Sequence, residues 1–527
     1  VVRSINSSQA AAIRFDNRLS ETLDIYWMPP NGPAVPYGSV PAGQTRKLQS
    51  YVGHAWILRK SANELRAAFV VDAWNDLAII DDQSPLPKPI LERGADTEVR
   101  GGGSVSPDGL WQVSLRDGNL ELIDLQHEQQ TFQTTDGNPS TGYGGRIWWS
   151  ADSHHFVIFK SHRVATREIS MIESSPPDSI HSRVITVDYA KPGDELDVPR
   201  PVLFHVDQPH PLEIDNELFP NPYSLGELHW DSSSDAFSFI YNQRGHQVLR
   251  AISVDVHTAT ARTLVEETPD TFVCYSSKSY MHHISDDELI WMSERSGWNH
   301  LYLVDKARGE IKHSITHGEW VVRDVIRIDD QRRQIWLSVS GIDPDQDPYY
   351  QHLIRVGFDG QDMIRLTAGD GDHRWQFSPN NQYLIDKYSR VDLPPQTALR
   401  DAESGALICH LECADDEQLL ETGWRYPERF VAKGRDGETD IYGIIVRPTN
   451  FDPSGHYPVL EAIYAGPHSA FVPKQFGRYP ELFEMAELGF IVVKIDGMGT
   501  NHRSKAFHDV CWKNLADSGF PDRIGWM

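Results

Sequence analysis

Cysteine is scarce, with four residues (Cys274, Cys409, Cys413 and Cys511) in 527. So few exclude a disulfide framework and point to a reducing compartment, the cytoplasm. No apolar run approaches the roughly 18–20 residues that span a membrane. Basic residues are outnumbered, with 49 Lys and Arg against 75 Asp and Glu, for a net charge of −26. That excess argues against a nucleic acid or an anionic membrane as partner. No Gly-rich phosphate loop occurs, so no nucleotide cofactor is expected. The opening VVRSINSSQA has neither a basic n-region nor an apolar h-region, and reads as the start of a mature form or a fragment.

Metal signals are equally thin. Asp343-Pro344-Asp345-Gln346-Asp347 imitates a calcium-loop start, but Pro348 replaces the needed Gly and no Glu closes it. Cys409-His410-Leu411-Glu412-Cys413 lacks a second ligand cluster. His154-His155 and His282-His283 are adjacent pairs that point to opposite strand faces, so neither makes a chelate. No metal and no cofactor are expected.

Aromatic residues are plentiful: 15 Trp, 19 Tyr and 20 Phe. With frequent Gly turns they favour β architecture. Residues 12–15, 22–27, 46–51 and 54–59 read as short strands punctuated by Pro29-Pro30-Asn31-Gly32 and Pro41-Ala42-Gly43, which predicts a small β-sandwich over 1–82. The Pro- and charge-rich residues 83–103 read as a linker. From 104 to 427 a weak repeat runs. Ser106-Pro107-Asp108-Gly109 returns as Ser150-Ala151-Asp152-Ser153, near Trp230-Asp231-Ser232-Ser233-Ser234, and as Ser378-Pro379-Asn380-Asn381. Such a turn before two to four short strands, at a period of roughly 40–50 residues, predicts about six blades of a β-propeller.

The last segment, 428–527, changes character. Apolar runs at 459–464 and 490–495 flank a helix-like stretch at 480–488, and each run breaks into a Gly turn, Tyr464-Ala465-Gly466-Pro467 and Asp496-Gly497-Met498-Gly499. This order is how an α/β hydrolase approaches its nucleophile elbow. No G-x-S-x-G occurs anywhere in the chain. The fold class is therefore mainly β: a sandwich, a propeller, then an incomplete α/β-hydrolase domain truncated before its nucleophile. On that reading, strand 491–495 would have an open edge and bare apolar faces, leaving 428–527 protease-sensitive.

MSERSGWNHLYLVD (292–305), ITHGEWVVRDV (315–325), YNQRGHQVLR (241–250), YAKPGDELDVPRP (189–201) and YAGP (464–467) resemble the dipeptidyl peptidase IV branch of the prolyl oligopeptidase family of serine peptidases. The resemblance implies peptide substrates and gives Tyr464 the role of oxyanion donor. The family's Ser, Asp and His would lie beyond Met527, so this chain as given is expected to be inactive. Paired glutamates that hold a substrate's free amine in this branch would fall in 135–146, where no Glu occurs. Release of dipeptides is thereby put in doubt.

RSINS (3–7), FDNRLS (15–20), IYW (25–27) and VPYGSVPAGQTRKLQSYVGHAWILR (35–59) resemble the β-domain of the von Hippel–Lindau tumour suppressor, which reads hydroxyproline. Its pocket falls on Trp27, Tyr37, Ser50, His54 and Trp56. Two indoles and a phenol can wall a pyrrolidine ring while Ser50 and His54 bond its hydroxyl. Residues 50, 54 and 56 share one face if their strand is unbroken. The expected partners are peptides, proline- or hydroxyproline-containing, and a second copy of the chain in a homodimer. The alternative function is a non-catalytic, peptide-binding propeller protein.

Overall fold

The computed structural model describes residues 10–29, 34–51, 53–61, 64–71, 77–81, 104–138, 140–164 and 167–527. The RSINS motif, the Asn31-Gly32 turn and the linker at 83–103 lie outside the described residues. The chain divides into two compact units, Val1–Asp96 and Thr97–Met527.

The first unit is a pair of sheets around one core. Strand Ala10–Asn17 lies between Thr45–Tyr51 and the parallel strand Leu77–Ile80, and the second sheet runs Val35–Val40, Leu23–Met28, Ala55–Ser61, Glu64–Val70. Alternation drives it: Ile13 and Phe15 from one sheet meet Leu23, Ile25, Trp56 and Leu58 from the other. Buried Asn17 pins a corner, its amide donating to the carbonyls of Glu21, Val40 and Pro41 while its Oδ1 accepts from Leu19 N–H. Strand Val35–Val40 was not visible to strand propensity, because Pro36 and Gly38 interrupt it.

In the second unit six antiparallel sheets follow one another along residues 104–413, five of them made of consecutive strands. Five have four strands. The second has three (Thr141–Trp149, His155–His162, Val198–His205), with a two-stranded excursion, Glu168–Glu173 and Arg183–Asp188, inserted before its last strand. Adjacent sheets share cores through alternate residues: Phe156 and Ile158 face the preceding sheet, Val157 the following one. Strands buried on both faces need near-continuous apolar runs, as in Ala236–Gln243, Glu288–Ser293 and Gln334–Ser340.

The repeated turn has a physical basis. Its fourth residue is left-handed each time: Gly109 (φ 77°), Ser153 (65°), Ser234 (65°) and Asn381 (56°). The opening serine donates to the side chain two residues on, Ser106 to Asp108 and Ser150 to Asp152, both at 2.5 Å. The turns also tie neighbouring sheets together, because Ser153 Oγ accepts from Asp108 N–H (3.1 Å) and Ser234 Oγ from Asp152 N–H (3.3 Å).

Residues 428–527 form a mixed sheet ordered Glu428–Lys433, Asp440–Val446, Ile491–Ile495, Val459–Glu461, with the last pair parallel. The expectation for this segment is corrected on two counts. Strand Ile491–Ile495 is interior; the open edge belongs to the three-residue strand Val459–Glu461. Nor are the faces bare. Helix Pro480–Glu487 covers Ile444, Val446 and Val492 on one side, while Trp526 of helix Phe520–Trp526 covers Ile441, Val493 and Ile495 on the other. Buried Asp522 locks the second helix, accepting from Arg435 N–H (2.8 Å), the Arg435 guanidinium (2.8 and 3.1 Å) and Met498 N–H (2.9 Å). No helix among the described residues is long and apolar enough to cross a membrane.

This packing predicts that residues 428–527 survive limited trypsin digestion as long as the sheets of 104–413 do. Asp522→Ala leaves the Met498 N–H without its acceptor and removes one of the two carboxylates that hold Arg435, which keeps Asp517; the loss of about 1–3 kcal/mol should make the segment the first to be cut. A wild-type C-terminal segment degraded first would contradict the two-sided cover.

Candidate functional site

In the first unit the five aromatic-pocket residues come together, by a route that parity along one strand misses. The strand breaks after Tyr51. Gly53, at φ 81°, and His54 hand the chain from one sheet to the other, so Ser50 and Trp56 face each other across the sandwich. Trp56 Nε1 donates to Ser50 Oγ at 3.0 Å, and both residues are buried. Trp27 pairs directly with Trp56 in the ladder. The His54 ring lies 5.1 Å from the Trp27 ring, and Tyr37 stands edge-on to Trp56 at 4.9 Å. Ser50 and Trp56 thus form a floor, and half-buried Trp27 and His54 with exposed Tyr37 form a rim. Burial lowers the His54 pKa, so its imidazole is neutral at pH 7. The indole N–H of Trp27 is buried and has no hydrogen-bond partner among the described residues.

In the second unit Tyr464 follows the edge strand Val459–Glu461. Its ring is exposed, packs on Phe471 (4.4 Å between centroids) and meets His468 edge-on (5.7 Å). Its hydroxyl bonds to no described residue. The loop beneath it is held firmly. Buried Asp496, the first residue of the DGMG turn, accepts from the N–H groups of Phe471 and Val472, both at 2.8 Å. His508 Nε2 donates to Pro467 O at 2.6 Å, while its Nδ1 faces the ammonium of Lys278 at 3.5 Å. Lys278 in turn is paired with Glu294 at 2.6 Å, both buried. A chain of polar contacts thus runs from strand-end Glu294 to the YAGP loop. Burial, then the charge of Lys278, pushes the His508 pKa down to about 3.

Asp496, His508, Lys278 and Glu294 escaped sequence reasoning. Asp496 alone left a trace, as a carboxylate directly after the buried strand Ile491–Ile495. Ser469 Oγ and His502 Nε2 approach to 3.4 Å, but burial and the neighbouring Arg323 hold the His502 pKa well below its ordinary value. It is a poor proton acceptor.

Residues 134–138 form a loop, not a helix, ahead of strand Thr141–Trp149. A Cβ on Gly137 would lie 2.0 Å from Gly118 O, so this stretch is Gly-rich because two backbones touch. Its one acidic side chain, Asp136, is taken by Lys160 (2.5 Å) and the Tyr143 hydroxyl (3.1 Å).

Among the described residues one group could hold a cation: His229, Asp231 and His283, with ligand atoms within 4.8 Å of one another. Reading His282-His283 as an adjacent pair overlooked it, since His229 belongs to the preceding sheet. The geometry does not fit an ion. The imidazoles stack 4.1 Å apart at 9°, so their in-plane lone pairs do not converge, and Lys306 Nζ already sits 2.7 Å from Asp231. Cys409 and Cys413 are free, exposed thiols on strand Leu407–Cys413.

The depressed pKa of His508 gives a pH dependence. Its neutral form is needed in the fold, whereas the unfolded imidazole protonates near pH 6.5. Its stabilising contribution is intact above pH 6.5 and falls as pH drops toward about 3, by about 1.4 kcal/mol per unit. Denaturant unfolding between pH 7 and 5 should show a shallower acid loss for His508→Gln than for wild type. Equal slopes would remove His508 from the account.

Comparison with known proteins agrees with this geometry. The description "Dipeptidyl peptidase IV (DPP IV) N-terminal region" matches residues 101–395, more than half the chain; "VHL beta domain" matches 2–70 and "Prolyl oligopeptidase family" 477–527. A probable dipeptidyl-aminopeptidase B of Emericella nidulans is 24% identical over 514 residues, covering 89% of this chain and 55% of its own length. That of Aspergillus clavatus is 24% identical over 530 residues, covering 90% and 56%. The chain therefore spans about half the length of the curated relatives it matches. Among solved structures, dipeptidyl peptidase 4 of Porphyromonas gingivalis superposes with a TM-score of 0.63 at 20% identity, over 90% of this chain and 67% of that one. A putative dipeptidyl aminopeptidase IV of Bacteroides ovatus gives 0.59 at 17%, over 92% and 73%. The likeness in structure is one of fold, and with the family match across residues 101–395 it establishes that the chain belongs to the dipeptidyl peptidase IV family.

Proposed function

We propose that the six sheets form a β-propeller and that residues 428–527 open an α/β-hydrolase domain, together serving a serine peptidase that acts on peptides. The observation that carries this reading is the Tyr464 loop. An exposed phenol, bonded to no described residue, projects from a backbone clamped by Asp496 and His508. A fixed, unengaged donor suits an oxyanion, whose charge develops only in the transition state; such donors are worth about 3–4 kcal/mol.

Within the 527 residues themselves the reading assigns binding, not bond cleavage. No G-x-S-x-G occurs, and Ser469 with His502 is no substitute, since that histidine has no carboxylate to orient it among the described residues. The sequence offers no glutamate in 135–146, so on this reading the substrate's amine is not held by paired glutamates there.

The first unit is read as a module for prolyl peptides, with hydroxyproline preferred. Trp27, Tyr37 and Trp56 would hold the ring, and Ser50 and His54 its hydroxyl. Ser50 Oγ, already accepting from Trp56, keeps its own proton to donate. A homodimer is the proposed assembly, to be checked by light scattering.

Titration with matched proline and hydroxyproline peptides, followed by tryptophan fluorescence, should show about tenfold tighter binding of the hydroxylated form. Trp56→Ala should abolish it. Equal binding, or binding indifferent to Trp56→Ala, would remove the module. A fluorophosphonate probe should leave the 527-residue chain unlabelled, and covalent labelling would overturn the non-hydrolytic reading. In a form of the protein that carries a G-x-S-x-G, Tyr464→Phe should lower kcat by about 10²–10³-fold with KM little changed.

A further inference from the structure

A second feature of the larger unit is a cavity of about 300 Å³ lined by Arg323, Tyr349, Asp372, Arg374, Ser469, Lys474 and neighbouring residues. Its walls come from the fifth and sixth sheets and from the loop that follows Tyr464. Three cations (Arg323, Arg374, Lys474) and one carboxylate (Asp372) line it, in a chain whose net charge is −26.

Arg323 is placed there by the backbone. In strand Val321–Asp329, Val322 pairs with Val339 and Asp324 with Ser338, so Arg323 is the extra residue of a bulge. Bulges turn a side chain away from its regular direction. Among the described residues the guanidinium forms no ion pair; its Nη1 donates to Ser340 Oγ at 3.2 Å. Burial lowers its pKa to about 10, with Asp372 opposing the effect and Arg374 adding to it. The shared carboxylate is already committed: Asp372 accepts from Gln351 N–H at 2.8 Å and lies 3.4 Å from Arg374. Arg374 Nε is itself buried without a partner. Lys474 is satisfied by Asp347 at 2.7 Å.

We infer that this cavity binds the carboxylate of a peptide, with Arg323 as its principal contact and Arg374 as the second. Two forked guanidiniums that lack their full complement of acceptors match a planar, two-oxygen anion. The inference rests on the peptide reading above and sharpens it, since it selects substrates by a negative charge. That charge comes either from the C-terminus or from an acidic side chain.

Isothermal titration of the 527-residue chain with Ala-Pro-Ala-Ala as free acid, as C-terminal amide, and as an amide carrying Glu in third place separates the two sources. The carboxylate that is recognised should bind about tenfold to a hundredfold tighter than the neutral amide. Arg323→Gln should erase that difference, and Arg323→Lys, which keeps charge but loses the fork, should retain part of it. Arg374→Gln, with circular dichroism as a check on folding, gives an independent variant. Acid and amide binding equally, unaffected by these substitutions, would overturn the anion site and leave the peptide reading standing. If no peptide binds but inorganic phosphate does, and Arg323→Gln removes it, the anion site stands and the peptide reading falls. Binding of neither would overturn both.

Discussion

The buried carboxylate of Asp496 organises the functional end of the larger unit. Sitting at the end of a strand with both faces covered, it receives no water and must be satisfied from within. The two N–H groups that satisfy it belong to Phe471 and Val472. One consequence lies above it, where Phe471 is the platform for the Tyr464 ring. The other lies beside it, because Val472 and Lys474 line the cationic cavity. A single buried anion therefore fixes both the exposed phenol and one wall of the proposed carboxylate site. Burial raises the Asp496 pKa, so its charge is held in place by those N–H groups and by nearby Lys474.

The repeat was legible in the sequence because local geometry writes it. A left-handed fourth residue and a serine bonding two residues on restrict the turn to Ser, Asp, Asn and Gly, and these recur visibly. Five of the six sheets follow, since each is a meander of consecutive strands whose pairing needs no long-range information; the second closes only after its excursion. The aromatic cluster of the first unit was legible by residue type. Its geometry was not: the parity of 50, 54 and 56 assumed a strand that Gly53 interrupts, and Ser50 reaches Trp56 from the opposite sheet.

What stayed hidden was long-range. The order of strands in the mixed sheet cannot be read from their order in the chain, so strand Ile491–Ile495 was expected at an edge that Val459–Glu461 in fact occupies. The Lys278–His508 contact joins residues 230 apart in sequence, and the stacked His229 and His283 come from different sheets. No local pattern marks such pairs. Arg323 was even quoted, within ITHGEWVVRDV, as a mark of family. That its position is a bulge, and its side chain turned into a cavity, depends on the register against Gln334–Ser340.

Charge burial is the common currency of these hidden features. Lys278 with Glu294, Glu461 with Arg523 and Asp386 with Arg400 are each withdrawn from water as matched pairs. Such pairs hold geometry at little net gain in stability, because Coulomb attraction only offsets desolvation. Arg323 departs from that pattern. Among the described residues it has no ion pair and one neutral hydrogen bond, with Arg374 as a cationic neighbour and Asp372 offsetting part of the cost of burial. On the proposed reading, an anion in the cavity supplies the acceptors that Arg323 and Arg374 lack, and the cost already borne by the empty protein adds to binding.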